Sequence, residues 1–177
     1  MNTYKLKLAV FAVCGVMLLP GMTQAANIVA LTDNTALFTI DFDFIAGKDG
    51  YQIPVGALQG LAFTENKDFV GYRVVGGDTP VMAKSTTNAV VLSEQKIENG
   101  MYQLAAGGRA SFTLVGLFEV PETTSTEEYF VELISLPHYI GTSRVNVSES
   151  RLEQFKTDEI QLNKVIEAPL SLSLQMK

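Results

Sequence analysis

The stretch LFTIDFDFI, Leu37 to Ile45, alternates apolar and polar side chains without a break, and it limits the fold more tightly than anything else in the chain. Successive strand residues point to opposite faces, so Phe38, Ile40, Phe42 and Phe44 share one face while Thr39, Asp41 and Asp43 share the other. The pattern predicts a half-buried strand. Its aromatic face fixes the register, and the two carboxylates turn away from the core.

Period-two spacing continues in GYQIPV, LAFT, VGYRVV, AVVLSEQKI, MYQLA, ASFTLVGLFEV and EYFVELISL, with turn residues between them. Gly76-Gly77-Asp78, Glu98-Asn99-Gly100 and Ala106-Gly107-Gly108 supply the positive φ angles of tight hairpin turns. About eight short strands at intervals of about 8–12 residues predict an all-β chain, a single antiparallel β-sandwich over residues 26–177. The segment from Val145 onward is more polar and acidic, and reads as a C-terminal extension, 145–177, ending in a strand. Within it SESRLEQFKTDEIQL predicts either one short helix near 149–156, capped by Ser148 or Ser150 with Leu152 and Phe155 inward, or a long connection ending in a strand at Glu159 to Leu162. The last run, APLSLSLQMK, alternates again through Leu170, Leu172, Leu174 and Met176. It predicts a strand that closes its own sheet or adds to a neighbour's.

The N-terminus sets the destination. Lys5 and Lys7 precede an apolar run from Leu8 to Leu19, Pro20-Gly21 breaks it, and small residues follow, the form of a secretory signal peptide over residues 1–25. That run is too short to span a bilayer, which takes about 20 residues. Cys14 lies in the middle of the run with no small residue immediately before it, which argues against acylation. Cleavage after Ala25 removes the only cysteine and leaves eleven basic against nineteen acidic side chains, a net charge of −8. The expectation is a secreted or periplasmic protein without disulfides. Its acidic surface disfavours nucleic acid and anionic lipid, and no later segment inserts in a membrane.

Chemistry-bearing residues are sparse. Asp41 and Asp43 lie about 6.5–7 Å apart along the strand, a spacing compatible with glycoside hydrolysis or with a cation, but also with a solvated sheet face. Asp49, in the turn Lys48-Asp49-Gly50, completes the one metal reading the pattern admits, calcium held by Asp41, Asp43 and Asp49; the ligand series of an EF-hand is missing. His138 is the only histidine and follows Pro137 at a strand end, which predicts a loop or rim residue. A cysteine nucleophile and a Cys/His zinc site are excluded in the mature chain. No Gly-x-Ser-x-Gly elbow occurs. Tyr51, Tyr72, Tyr102, Tyr129 and Tyr139 could line a carbohydrate face or serve as half-buried structure. No catalytic residue and no cofactor is assigned.

IDFDFIAGKDGYQIP, NGMYQLAAGGRASFTL and EYFVELISL together resemble a loosely defined group of immunoglobulin-like β-sandwich domains in exported and surface proteins of bacteria. The resemblance implies a building or binding module and carries no activity to particular residues. The leading expectation is therefore an exported non-catalytic module at the cell envelope or outside the cell, with a surface protein or polysaccharide as partner. The alternatives are a pilus-like or filament subunit exchanging APLSLSLQMK or ANIVAL, and a carbohydrate-active enzyme using Asp41 and Asp43.

Overall fold

A computed structural model of the chain describes residues 25–60, 69–76, 89–121, 126–147 and 149–163. The leader and Cys14, the LAFT segment, Gly77-Asp78, residues 122–125 of the 121–128 connection and the terminal APLSLSLQMK lie outside the described residues. The elements begin with β1 (Ala26–Ala30), β2 (Thr35–Ile45), β3 (Tyr51–Pro54), β4 (Gly56–Gln59), β5 (Val70–Gly76), β6 (Ala89–Leu92) and β7 (Ile97–Glu98). They continue with β8 (Met101–Leu104), β9 (Arg109–Glu119), β10 (Glu127–Ser135), β11 (Pro137–Ile140), β12 (Ser143–Asn146), the single-turn helix α1 (Glu149–Leu152) and β13 (Ile160–Leu162).

The all-β expectation holds, in two unequal sheets. Eight strands in the order β1-β2-β9-β6-β4-β5-β10-β13 make the larger, and five in the order β12-β11-β3-β8-β7 make the smaller. The larger sheet curls until its ends approach and becomes a near-closed barrel, where the sequence predicted one layer of a sandwich. The Asn163 backbone N–H, just past β13, donates to the Asp33 carbonyl just past β1 and so ties the two edges. Curling is what strand twist does to a sheet this wide.

Pairing is antiparallel except between β4 and β5, which run parallel with Leu58 opposite Gly71. Two segments that read as single strands prove to be divided between sheets. GYQIPV splits at Val55: β3 pairs with β8 in the smaller sheet, and β4 pairs with β6 in the larger. AVVLSEQKI likewise leaves the barrel after β6 and ends as β7 in the smaller sheet. Turn chemistry explains the β7–β8 hairpin, where Asn99 and Gly100 both have positive φ, 52° and 75°, the requirement of its two-residue type I′ turn.

β2 and β9 are the spine of the barrel, eleven residues each and in register from Thr35–Glu119 to Ile45–Arg109. Ala36, Phe38, Ile40, Phe42 and Phe44 of β2 are buried, as are Ala110, Phe112, Leu114 and Phe118 of β9. Toward one end Phe38 meets Tyr72 at 5.0 Å between ring centroids and Phe118 meets Tyr129 at 6.4 Å, contacts that cross the barrel interior. Toward the other end the smaller sheet packs over the barrel. There Phe44 faces Tyr51 and His138, and Tyr102 faces Phe112 while its hydroxyl donates to the Val91 carbonyl at 2.8 Å. One continuous core results, in which each buried phenylalanine contributes about 1.5–3 kcal/mol.

The described residues of the segment from Val145, 145–147 and 149–163, contribute to this core. Val147, Leu152, Phe155 and Leu162 are all buried. Both readings of that stretch are partly realised: α1 forms as a single turn, Phe155 then packs edge-on to Phe42 at 6.5 Å, and β13 pairs with β10. The chain leaves the helix early because Phe155 and Thr157 are claimed by β10, whose Leu133 and Val131 carry their backbone hydrogen bonds.

Gly116 marks the tightest approach. A Cβ there would lie 2.6 Å from the Phe38 ring and 2.9 Å from the Ala89 Cβ. Gly116→Ala is therefore expected to destabilise the protein by about 1–3 kcal/mol through overpacking, read as a lowered urea midpoint with an unchanged slope.

Candidate functional site: a polar groove on the outer face of the barrel

The register of β2 and β9 decides what Asp41 and Asp43 can do. Asp41 stands opposite Thr113 and Asp43 opposite Ser111, with Arg109 one pair further along. Directly opposed side chains on one sheet face come within contact distance. The Thr113 hydroxyl donates to Asp41 Oδ1 at 2.6 Å, the Ser111 hydroxyl donates to Asp43 Oδ1 at 2.5 Å, and Arg109 Nη2 reaches Asp43 Oδ2 at 3.4 Å. Both carboxylates point outward as their spacing predicts, yet they are held in a cross-strand ladder rather than left to bulk water. Arg109 is about half exposed, so its ion pair adds little stability. Its effect is on orientation.

Beside this ladder, where β6 ends and β9 begins, lies an open groove of about 640 Å³ lined by Leu92, Ser93, Glu94, Gln95, Arg109, Ala110, Ser111 and Thr113. The Ser93 hydroxyl donates to the Ser111 carbonyl at 2.8 Å and accepts from the Gln95 backbone N–H at 3.4 Å, which pins the strand exit as the chain departs for the smaller sheet. The lining offers guanidinium, amide and hydroxyl donors beside carboxylate acceptors. Such a surface can read a hydroxyl-rich or peptide-like polymer by hydrogen bonds.

Asp49 sits exposed in the turn closed by the Gly50 N–H to the Gly47 carbonyl. Among the described residues no three His, Cys, Asp or Glu side chains converge as a metal-binding group, so the structure does not bring Asp41, Asp43 and Asp49 together as calcium ligands. Tyr51, Tyr72, Tyr102 and Tyr129 are core residues, none more than 3% exposed, while Tyr139 is half-buried; they form no aromatic face. Burial of the Tyr129 hydroxyl, and then its hydrogen bond to Glu127, holds its pKa well above the usual phenol range.

His138 departs from its expected place at the rim. It is fully buried on β11, with its ring 4.7 Å from Tyr51 and 5.6 Å from Phe44, and the Leu136 carbonyl is the one polar group beside its ring nitrogens, short of good hydrogen-bond geometry. Burial lowers its pKa, and the Leu136 carbonyl offsets this only in part. The residue is core, wedged between the two sheets, and lies away from the groove.

Arg109, Ser111 and Thr113 carry the site together with the aspartates, and sequence spacing alone could have found them. RASFTL alternates as strictly as TIDFDF, so its polar positions mark a second outward row of similar length. The Ser93-Glu94-Gln95 wall had no such signal, because it exists where a strand stops. Comparison with known protein families, with characterised proteins and with solved structures returns no match for this chain.

Proposed function

We propose that the protein is an exported, non-catalytic β-module that acts by binding, or as a structural component, at the cell envelope or outside the cell, with the outer face of β2, β9 and β6 as its working surface. The observation that carries this reading is the ladder Asp41–Thr113 and Asp43–Ser111–Arg109 beside an open groove. Its carboxylates are already engaged by donors on a rigid face, which favours recognition over proton transfer. The two-sheet packing is read as a variant of the immunoglobulin-like sandwich, supported by the aromatic contacts that join β2 and β9 to the smaller sheet. Residues 1–25 are read as the export signal, and the partner as a polysaccharide or protein of the cell surface. Among the described residues no helix is long and apolar enough to cross a membrane.

Cosedimentation of the mature protein with purified cell-wall polysaccharide tests the reading. The wild type is expected in the pellet, with retention reduced several-fold by Arg109→Ala and by the double change Asp41→Asn, Asp43→Asn, and with folding unaltered by circular dichroism. Equal retention of all variants would remove the groove as the binding surface. A second reading, assembly by strand exchange, is favoured by β1, which hydrogen-bonds to β2 on one edge only. It predicts oligomers of the full chain in size-exclusion chromatography that disappear when residues 26–31 are deleted.

A further inference from the structure

The groove occupies only one end of the outer face; toward the other end lies an aliphatic area bordered by the polar pairs Asn27–Thr39 and Thr35–Glu119. Register places Val29, Leu37 and Leu117 side by side across β1, β2 and β9, and Val115 beside Val90 of β6. Val29 is 55% exposed, Leu117 41%, Val90 37% and Leu92 49%, and Leu31 next to β1 is 55% exposed. A one-sided antiparallel sheet normally turns polar residues to water. A contiguous apolar area on such a face marks a contact surface.

We propose that this aliphatic area is covered by the C-terminal segment of the same chain, residues 168–177 (APLSLSLQMK). The segment carries Leu170, Leu172, Leu174 and Met176 at every second position and Ser171, Ser173 and Gln175 between them, so in extended form one side is wholly apolar. The point of departure is favourable. Asn163, the last described residue, donates its backbone N–H to the Asp33 carbonyl and its side-chain amide to the Pro121 carbonyl. Those residues stand beside the start of β2 and the end of β9, the end of the face that holds Val29, Leu31 and Leu117. From there to Leu170 the chain can extend about 23 Å at about 3.3 Å per residue, more than the roughly 14 Å that separates β13 from β9 at strand spacing.

A segment running from Leu117 toward Leu92 brings Lys177 to the end of the face that carries Asp41, Asp43 and Glu94 beside Arg109. A short tether also gives the segment a local concentration in the millimolar range, so modest contacts suffice to seat it on its own chain before another copy's.

The mature chain has no cysteine, which allows a direct test in the full-length mature protein. A chain with Leu117→Cys and Leu172→Cys, oxidised at low concentration, is expected to form a disulfide within one molecule. The yield should exceed several-fold that of a control pair, Ser143→Cys with Leu172→Cys, whose first cysteine lies on the smaller sheet. In parallel, a chain ending at Glu167 is expected to keep its circular dichroism spectrum and bind several-fold more of the apolar dye ANS. Equal yields for the two pairs, or unchanged dye binding by a folded shortened chain, would overturn the proposal. So would a disulfide that forms only between molecules and grows with concentration, since another copy's tail would then cover the face.

Discussion

Phe44→Ala is expected to lower stability by about 3–5 kcal/mol, the range for deleting a fully buried phenylalanine. Phe44 is 0% exposed and touches four rings: Phe42 and Phe112 within the barrel, Tyr51 and His138 of the smaller sheet. Its loss both leaves a cavity and loosens the contact between the sheets, so relaxation cannot close the gap from one side alone. With a urea slope of about 2 kcal/mol/M the midpoint should fall by about 2 M. Phe130 is the control. It lies on β10 with its ring half-buried and Lys156 Nζ 5.8 Å from its centroid. Phe130→Ala is expected to cost about 1 kcal/mol or less, and a loss equal to that of Phe44→Ala would contradict the inward and outward assignment of the strands.

His138→Phe is expected to have the opposite sign. The wild-type ring is buried with only the Leu136 carbonyl beside it, so at least one ring nitrogen lacks a partner, and an unsatisfied polar group of this kind costs about 1–3 kcal/mol. Phenylalanine fits the aromatic surroundings supplied by Phe44 and Tyr51 and has no such groups. The variant should therefore unfold at higher urea concentration at neutral pH. Acid enlarges the difference. Because burial lowers the His138 pKa below its ordinary 6.5, the unfolded chain takes up a proton first as pH falls. The stability associated with the neutral ring is complete above pH 6.5 and is lost progressively from there down through the folded-state pKa. Urea midpoints at pH 8 and pH 5.5 should separate for the wild type and stay closer together for His138→Phe. Equal pH dependence in the two proteins would mean that another group controls this limb.

The barrel spine was legible in the sequence because β2 and β9 are long and bury one face only. Eleven alternating residues leave no ambiguity, and the outward placement of Asp41 and Asp43 followed from the phenylalanines that flank them. The smaller sheet was legible only in part. GYQIPV and MYQLA read as strands and contain β3 and β8, but β7, β11 and β12 have four residues or fewer, too short for a period to emerge, and nothing local shows that β3 continues directly into a strand of the other sheet. His138 was misplaced for this reason: in SLPHYIG nothing local indicates that a second layer packs there. The parallel pairing of β4 with β5 was equally hidden, since both segments are compatible with either direction.

Half of the site was readable and half was not. The aspartates and their hydroxyl partners belong to long strands whose polar faces could be aligned, whereas Ser93, Glu94 and Gln95 gain their position from the chain's departure into another sheet. Local pattern describes the inside of an element well and its exits poorly.

The tie between Asn163 and Asp33 also bears on when the protein can fold. It joins the first and last described strands, so a growing chain that has made β2, β9 and β10 still lacks β13 and holds an unzipped edge along β1. Contacts between such distant parts of a sequence form slowly, and an open strand edge invites pairing with other chains in the meantime. Synthesis must therefore run past Asn163 before the barrel can shut. The period just before that is when the protein is most exposed to aggregation and most in need of a chaperone.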